Sequence, residues 1–488
     1  MNGWKKKTAL AVVSVVAILV AIVVIRAIGV ESQQRAVEPV DVEISDADGA
    51  IERLSEAIRH RTVSLVEPDD DVAPFLALRE QLEEQFPAFH EAASRQLVND
   101  LTLHFTIEGS DPHGQHVVFL AHQDVVPVEA ETKEDWDYPP FSGAVEEGFV
   151  WGRGALDNKQ NMMAMLEAAE VWLEEGGAPE HTLHFVFGHD EEIGGLEGAK
   201  AVAEQMESDS LDVVAVYDEG LVITLGLVPG IDEPVALVGI TERGYLTVEI
   251  RASAEGGHSS MPPEELAVVR LARALEVIDE NPRKAAIDGP TEMMFDAVIS
   301  EMDFAHRLIF RNLWLFEPVI LSQMTDSPST NAAVRTTAAP TMLRASDTEN
   351  VLPQQAVATV NFRLNPRDSI EEVVGDLQEL VGSEHISVEP IGEMRSEPSP
   401  LARREGPGYE ALETAFGEVF GDVALAPNML VGASDSRHFT DLTRDVYRFT
   451  PVELDSRDLE RIHGTNERIA TDAYLDLIAY YDRLLRAW

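Results

Sequence analysis

The sequence lacks cysteine altogether and is poor in positive charge. Its 488 residues include 37 lysines and arginines against 87 aspartates and glutamates, which gives a formal net charge of −50. The absence of cysteine excludes disulfide scaffolds, thiol nucleophiles and cysteine-ligated zinc or iron–sulfur sites. The shortage of cations excludes nucleic acid as a partner, because phosphate binding requires Lys and Arg side chains. Any metal must therefore be held by His, Asp and Glu.

Length and composition are those of a folded protein with more than one domain. At roughly 100–200 residues per domain, the chain accommodates about two to four domains. A hydrophobic content of 45% and a charged content of 25% are ordinary for globular proteins and exclude wholesale disorder. The excess of acid fits either a need for solubility or a saline medium that screens self-repulsion.

Residues 1–30 are predicted to be a membrane anchor. The uncharged run Thr8–Ile25 would rise about 27 Å as a helix, close to the thickness of the bilayer hydrocarbon. Because Lys5–Lys7 belong on the cytoplasmic side, everything beyond Arg26 is predicted to lie outside the cytosol, in a periplasm, a lumen or the medium. A cleaved signal peptide is the competing interpretation, but the run exceeds a usual signal core and no small-x-small site follows it. The polar residues 31–48 are predicted to be a linker.

Beyond the linker, short apolar runs and a helical pattern predict an α/β domain. Continuous hydrophobicity without alternation is typical of parallel strands covered on both faces, and it occurs in His116–Ala121, Thr182–Phe187 and Leu211–Tyr217. Between the first two runs, Asn158–Glu175 carries apolar residues at helical spacing. This strand–helix–strand order predicts a mostly parallel central sheet with right-handed crossovers.

A different pattern interrupts this domain. Tyr245–Ala252 and Ala356–Leu364 alternate apolar and polar residues, as in an antiparallel sheet with one covered face, and helical patterns accompany them. Residues 242–393 are therefore predicted to form an inserted α+β domain. The insertion would divide the α/β domain into residues 49–241 and 394–488.

Acidic and imidazole side chains follow each of the three apolar strands. The carboxyl ends of parallel strands form the crevice in which open sheets bind ligands. Acids gathered there are unfavourable unless cations compensate, and two divalent ions can share one bridging carboxylate and one water. Each acid alone is better interpreted as a helix cap or a solvated strand end, but together they predict a two-metal site. The segments are AHQD from Ala121, HDEE from His189, YDEG from Tyr217, LDNK from Leu156 and IHGTNE from Ile462.

In this combination and order, these motifs resemble the M20 metallopeptidase family. The resemblance extends from about Ile51 to the C-terminus and also includes GGHSSMP, NFR and GASDSRHF. Within the family, the chain most resembles the branch of carboxypeptidase S and the PM20D1-like N-fatty-acyl-amino acid synthase/hydrolases, which act on peptides or N-acyl amino acids. The resemblance implies a dizinc exopeptidase-like catalytic domain with a ferredoxin-like lid.

The resemblance also implies a role for each metal ligand. His122 and Asp218 would bind one zinc ion, and Glu192 and His463 would bind the other. Asp157 would bridge the two ions, for which Co²⁺ or Mn²⁺ could substitute.

Three further residues would act on the reaction. Asp124 would orient the imidazole of His122. Glu191, next to a metal ligand but free itself, would deprotonate the attacking water and protonate the leaving amine. His258, in the lid, would stabilise the oxyanion.

Substrate binding is assigned by the same resemblance. Arg363 would pair with a terminal carboxylate, a geometry that suits Arg better than Lys. Asn350 would assist it. Ser434 and Asp435, in the GASDSR turn, would contact the substrate backbone.

The lid sequence between Arg283 and Met324 is longer and more apolar than a minimal lid of this family. It is either additional core or the wall of an apolar channel for an acyl chain. The residues concerned are Phe304, Phe310, Trp314, Leu315 and Phe316. An enlarged lid can also replace the dimer contact that compact lids make, so both a monomer and a homodimer are compatible with the sequence.

The leading hypothesis is a dizinc hydrolase that cleaves the amide bond of a small peptide or an N-acyl amino acid with a free α-carboxylate. The same residues could catalyse the reverse condensation. The alternative hypothesis is a membrane-anchored peptide-binding protein that has kept the fold and lost catalysis. Such a protein should have lost the base or a metal ligand, and none is missing here.

Overall fold

The computed structural model describes residues 2–64, 71–111 and 114–488. Its largest sheet is formed by β1 (Ser94–Val98), β2 (Thr102–Ile107), β3 (His116–His122), β6 (Thr182–Gly188), β7 (Val213–Thr224), β8 (Val235–Glu242), β15 (Ala424–Leu430) and β16 (Val446–Leu454). Their order across the sheet is β1-β2-β6-β3-β7-β16-β8-β15. The centre is parallel from β6 through β3 and β7 to β16, whereas β1, β2 and the β16–β8 pair are antiparallel. The predicted α/β fold is confirmed, with a mixed sheet.

Helices cover both faces of this sheet. They are α2 (Ala47–Arg59), α3 (Ala73–Gln85), α4 (Pro87–Ala92), α5 (Lys159–Glu174), α6 (Ala199–Ser208), α13 (Pro407–Phe420), α14 (Ser456–Leu459) and α15 (Thr471–Leu485). Strand β6 is mostly apolar because both of its faces are buried. Phe185 and Phe187 belong to the core shared with α5 and α15, whereas Val186 belongs to the core beneath α6. A small sheet of β4 (Ala144–Glu146), β5 (Phe149–Trp151) and β17 (Arg468–Ala470) completes this part.

A second, antiparallel sheet follows β8. Its strands are β9 (Gly244–Ser253), β11 (Thr337–Arg344), β13 (Gln355–Leu364) and β14 (Ile386–Ser396), in the order β11-β13-β9-β14. Helices α7 (Ala267–Glu280) and α12 (Ile370–Val381) pack on one face through a separate apolar core. The chain order is β-α-β-β-α-β, as in ferredoxin-like folds. A separate two-stranded antiparallel sheet pairs β10 (Gly257–His258) with β12 (Val351–Leu352). The domain boundaries and the role of this part as a lid stay predictions.

Four helices lie between α7 and β11. They are α8 (Gly289–Val298), α9 (Phe304–Phe310), α10 (Leu313–Met324) and α11 (Pro328–Val334). Their buried side chains form an apolar core with the first residues of β8 and β15, among them Val235, Ala424 and Ala426. We call α8–α11 the insertion.

The N-terminal segment begins with α1 (Asn2–Ile28). Among the described residues, one helix, Lys7–Ile28, is long and apolar enough to cross a membrane, with a mean hydropathy of 3.1; a signal sequence would also meet this criterion. The predicted linker is not detached from the body. The amide of Gln34 bonds the carbonyl of Ala297 at 2.9 Å, and its carbonyl accepts from the N–H of Leu425 at 2.7 Å. The N–H of Val40 bonds Glu418 at 2.7 Å.

Candidate active site

The sheet brings the predicted metal ligands to one place because the elements that carry them end at the same edge. His122 is the last residue of β3, and Glu191 and Glu192 form a short 3₁₀ helix immediately after β6. Asp157 lies in the loop before α5, whose first turn follows it directly. Chain segments separated by as much as 341 positions, from His122 to His463, therefore meet at the carboxyl ends of parallel strands.

His122 is fully buried and surrounded by acceptors. Its Nδ1 lies 2.9 Å from the main-chain oxygen of Asp124, so this nitrogen carries the proton. Its Nε2 is thereby left as the free donor atom, 3.0 Å from Oδ1 of Asp157 and 3.2 Å from Oε1 of Glu219. This is the tautomer that a metal-binding imidazole needs.

A second group of ligand atoms shares Asp157 with the first. Nε2 of His463 lies 3.0 Å from Oδ2 of Asp157 and 3.1 Å from Oε2 of Glu192. The two groups, His122 with Asp157 and Glu219 and Asp157 with Glu192 and His463, each place one donor atom per residue within 4.8 Å of the others. His463 has φ +60°, a left-handed conformation that non-glycine residues rarely adopt outside functional sites. The two oxygens of Asp157 thus face two separate imidazoles.

Glu219 stands where the resemblance had assigned Asp218. The sequence pattern ended the third strand at Tyr217, but β7 continues to Thr224, and successive side chains of a strand point to opposite faces. Asp218 is turned away from the cluster: its Oδ2 accepts from the N–H of Ser436 at 2.8 Å and its Oδ1 from the N–H of Glu219 at 2.9 Å. The structure therefore brings His122, Asp157, Glu192 and His463 together and places Glu219, rather than Asp218, beside His122; the assignment of the ligands stays a prediction.

Asp124 connects the two halves of the cluster. Its two carboxylate oxygens accept from the N–H groups of Glu191 and Glu192, each at 3.2 Å, and one also accepts from the hydroxyl of Ser64 at 2.9 Å. The carboxylate lies 3.3 Å from Nδ1 of His122. Asp124 thus contacts both the imidazole and the segment that carries Glu191; its orienting role stays a prediction.

A buried ion pair, which the sequence pattern did not indicate, ties the loop of Asp157 to the loop of His463. Glu467 pairs with Arg153 and accepts from the N–H groups of Gly154 at 2.9 Å and Leu156 at 2.8 Å. Arg153 in turn donates to the carbonyl of His463 at 2.9 Å. Residue types alone do not identify Glu467 or Arg153 as part of the site, because the segments IHGTNE and WGRG are distant in sequence and come together only in the folded structure.

The electrostatics of the cluster fit divalent cations. Burial raises the pKa of Glu191 and of Glu219 well above the usual range, and hydrogen bonds to Asp157 and Glu192 raise the pKa of His463 to about 10. Among the described residues, no Lys or Arg forms an ion pair with Asp157, Glu191, Glu192 or Glu219. One carboxylate oxygen of Glu192 is buried without a hydrogen-bond partner. Imidazole nitrogens and carboxylate oxygens are a donor set that zinc accepts.

The cluster opens into a cleft of about 910 Å³ between the two sheets. Arg363, on β13, lines the opposite wall, with its guanidinium 4.5 Å from the ring centre of Tyr245. Among the described residues, no carboxylate lies within ion-pair distance of Arg363, although it is largely buried and has a lowered pKa for that reason. An unpaired guanidinium on the cleft wall suits a substrate carboxylate.

His258 and Asn350 do not line this cleft. They lie side by side at the exposed two-stranded sheet of β10 and β12, where the N–H of Ser259 bonds the carbonyl of Asn350 at 3.1 Å. Nδ1 of His258 lies 2.8 Å from the hydroxyl of Ser260. The structure thus keeps these two predicted residues together but apart from the acids.

The GASDSR turn contributes Ser434 to the cleft, whereas Asp435 lies beneath it. The N–H of Ser434 bonds Glu242 at 3.1 Å. Asp435 is buried against Gly188 and Gly195; a Cβ at Gly195, which has φ +65°, would lie 1.9 Å from Oδ1 of Asp435. Gly195 is therefore required for this close approach, and Asp435 supports the site rather than contacting a ligand in the cleft.

The apolar residues of the insertion are also absent from the cleft lining. Phe310 is buried and stacks on Phe295 at 4.2 Å between ring centres. Phe304, Trp314 and Leu315 are exposed on the outer side of the insertion. The channel interpretation is therefore wrong for these residues: Phe310 and Phe316 contribute to the core, and the others face outwards.

Comparison with known proteins agrees with this geometry. The model of the peptidase family M20/M25/M40 matches residues 118–487. The chain belongs to this family. Peptidases of the family depend on metal ions and are typically dinuclear.

Among the relatives, the chain is 37% identical to the N-fatty-acyl-amino acid synthase/hydrolase PM20D1 of Xenopus tropicalis over 89% of this chain and 85% of that protein. It is 28% identical to carboxypeptidase S of Saccharomyces cerevisiae, over 89% and 83% of the two chains. The M20 metallo-carboxypeptidase Sso-CP2 of Sulfolobus solfataricus has the same fold, with a TM-score of 0.65 at 18% identity over 90% and 98% of the two chains. The predicted family and branch are confirmed.

The exchange of Asp218 for Glu219 is tested by metal retention. Glu219→Gln should lower the number of ions kept after dialysis by one per chain, because it removes a charged donor atom beside His122. Asp218→Asn should retain the full number of ions but bind them about 10–100-fold more weakly, as expected for a residue that supports the ligands without contacting the metal. Metal analysis of the two purified variants decides between them; loss of an ion in Asp218→Asn alone would restore the original assignment.

Proposed function

We propose that this M20 peptidase is a dizinc hydrolase that cleaves the amide bond of small peptides or N-acyl amino acids bearing a free α-carboxylate. The observation that carries the proposal is the placement of two ligand groups that share Asp157 beneath a cleft whose far wall presents the unpaired Arg363. The names of the relatives, an N-fatty-acyl-amino acid synthase/hydrolase and a carboxypeptidase, agree with a substrate of this kind.

The ligand sets are proposed from the donor atoms. His122, Asp157 and Glu219 would hold one ion, and Asp157, Glu192 and His463 the other. Two zinc ions, or Co²⁺ or Mn²⁺ in their place, would polarise the scissile carbonyl and lower the pKa of a water molecule. Asp124 keeps His122 in the tautomer whose Nε2 faces the acids.

Glu191 is proposed to move the proton. It lies next to the ligand Glu192, lines the cleft, and has a pKa raised by burial. A carboxylate with a raised pKa is suited to accept a proton from the attacking water and to deliver it to the nitrogen of the leaving amine.

The two ends of the substrate would contact different walls of the cleft. The free carboxylate is proposed to bind Arg363, with Ser434 at the backbone. Apolar side chains on the body wall, including Val222, Val452 and Leu454, would contact the acyl group or the preceding side chain. These residues, rather than the insertion, provide the hydrophobic surface that an acyl group needs.

His258 is proposed to act in the cleft of a second copy of the chain. The strand β10 that carries it is exposed, and the edge strand β11 of the four-stranded sheet is exposed along almost its whole length, with Leu343 66% accessible. Such an edge is a template for pairing with another chain. In a symmetric dimer, His258 on β10 of each chain would reach the partner's acids and stabilise the oxyanion there.

The location is proposed from α1. The helix is uncharged from Thr8 to Ile25 and exposed along most of its length, which supports a single span with the body on the far side of the membrane from the N-terminal lysines.

The proton-transfer role is tested by Glu191→Gln. The amide keeps the shape of the side chain but cannot accept the proton, so kcat should fall by about 10²–10⁴-fold while both ions are retained. Turnover of an N-acyl amino acid and metal content are measured on the same sample. Glu204→Gln, an exposed change on α6, serves as the matched control and should leave both unchanged. Robust turnover by Glu191→Gln would remove Glu191 from this role.

Carboxylate recognition is tested by Arg363→Ala. Loss of a charge-assisted contact should raise KM for substrates with a free carboxylate by about 10–100-fold and abolish their preference over the corresponding amides. Arg251→Ala is the matched control, because Arg251 lies on the same open face of the sheet, on the neighbouring strand β9, and is already paired with Glu249. An unchanged preference in Arg363→Ala would show that another group binds the carboxylate.

The shared site is tested by mixing two inactive variants. If His258 acts in the partner's cleft, subunit exchange between His258→Ala and Glu191→Gln creates dimers with one complete cleft, and activity should recover to about one quarter of that of the unaltered chain. Activity is measured before and after exchange. A mixture that stays inactive although mixed dimers form would place His258 in its own chain's cleft or outside the reaction.

A further inference from the structure

The end of α1 is packed against the insertion. Val23 and Ala27 are buried there, although most of the helix is exposed. The side-chain amide of Asn312 donates to the carbonyl of Val23 at 3.1 Å, and Arg26 donates to the carbonyl of Arg311 at 3.4 Å. The junction between α9 and α10 is therefore attached to the last turns of the apolar helix.

An exposed apolar surface begins directly beside this attachment. On α10, Trp314, Leu315, Pro318 and Val319 follow the spacing i, i+1, i+4 and i+5, which places them on one face of the helix. Their exposure is considerable: Trp314 is 55% and Val319 is 60% accessible. With Phe304 on α9, these residues form what we call the apolar patch. Clustered exposed hydrophobic residues of this kind mark an interaction surface.

The attachment fixes the position of the apolar patch along the axis of α1. Val23 lies two residues before the end of the uncharged run Thr8–Ile25, so it is about 3 Å inside that end along the helix axis. If the run spans the hydrocarbon, Asn312 lies at its boundary, and Trp314 follows two residues later. This is the depth at which Trp side chains are enriched in membrane proteins.

The local charge also favours a lipid surface. Phe304–Met324 contains Arg307, Arg311 and one acid, Glu317, so its formal charge is 2 − 1 = +1, in a chain whose net charge is −50. The acidic body would be repelled by anionic lipid, whereas this segment would not.

We propose that the apolar patch inserts into the outer boundary of the lipid bilayer crossed by α1, and so holds the catalytic body in a fixed orientation on the membrane. The proposal rests on the proposed membrane span of α1 and on no step of catalysis. The occupant is lipid rather than a second protein chain, because the apolar patch is continuous with the helix that would enter the bilayer.

The cysteine-free sequence allows a direct test with the full chain reconstituted in phosphatidylcholine vesicles. Leu315→Cys and Val319→Cys each receive a nitroxide label, and its accessibility to oxygen and to an aqueous nickel chelate is compared. Val15→Cys, within α1, is the reference for lipid. Leu97→Cys is the matched control in water: it is exposed and lies on β1, at the sheet edge opposite β15, on which the insertion packs. Turnover is measured on the same samples.

Labels at 315 and 319 should resemble the label at 15, with oxygen access exceeding that of the chelate, and should differ from the label at 97. If they resemble the label at 97 while the label at 15 is in lipid, the membrane span stands and the docking is wrong. If the label at 15 is also in water, both are wrong. Spectral broadening at 315 and 319 that disappears on dilution with unlabelled chains would assign the apolar patch to a second copy and overturn the proposal. None of these results depends on turnover, which reports on the proposed hydrolysis separately.

Discussion

The crowding of buried carboxylates at the carboxyl ends of the parallel strands is the constraint on which the site depends. Several acids and two imidazoles lie close together at the base of the cleft, and like charges there cannot all remain ionised without compensation. Within the described part of the chain, the fold places no Lys or Arg in an ion pair with these acids, since Arg153 pairs with Glu467 behind the site. It supplies a rigid frame instead, in which backbone N–H groups hold Asp124 and Glu467. The free energy of cation binding therefore offsets a cost that folding imposes.

That frame also explains why distant segments act as one unit. Glu467 accepts from three N–H groups of the loop that ends at Asp157, and Arg153 donates to the loop of His463, so these contacts couple the positions of Asp157 and His463. The left-handed conformation of His463 is maintained by the same contacts. These contacts hold the carboxylate of Asp157 in a fixed position between the imidazoles of His122 and His463, and catalysis requires reacting groups to be positioned accurately.

The sequence was sufficient for those features that depend on local pattern. The apolar runs became β3, β6 and β7, the alternating runs became β9 and β13, and motif order identified the family and four residues that the structure brings together in the acidic cluster. The sequence was not sufficient for features that depend on which residues become neighbours in the folded structure. Whether Asp218 or Glu219 faces the cluster depends on where β7 ends, and a one-residue difference along a strand reverses the face. Likewise, apolar residues of the insertion look the same in sequence whether they line a cleft, fill a core or face outwards.

The position of the insertion separates two roles for apolar surface, contact with lipid and contact with a bound acyl group. Its core rests on Ala424 and Ala426 near the start of β15, whereas Leu430 at the end of that strand lines the cleft. At about 3.3 Å per residue, Leu430 lies roughly 13–20 Å along the strand from these two alanines. A surface at the first end can therefore contact lipid without closing the cleft at the other. It follows that the hydrophobic contact for an acyl group must come from the cleft wall itself, where Val222, Val452 and Leu454 line the same cleft as the acidic cluster.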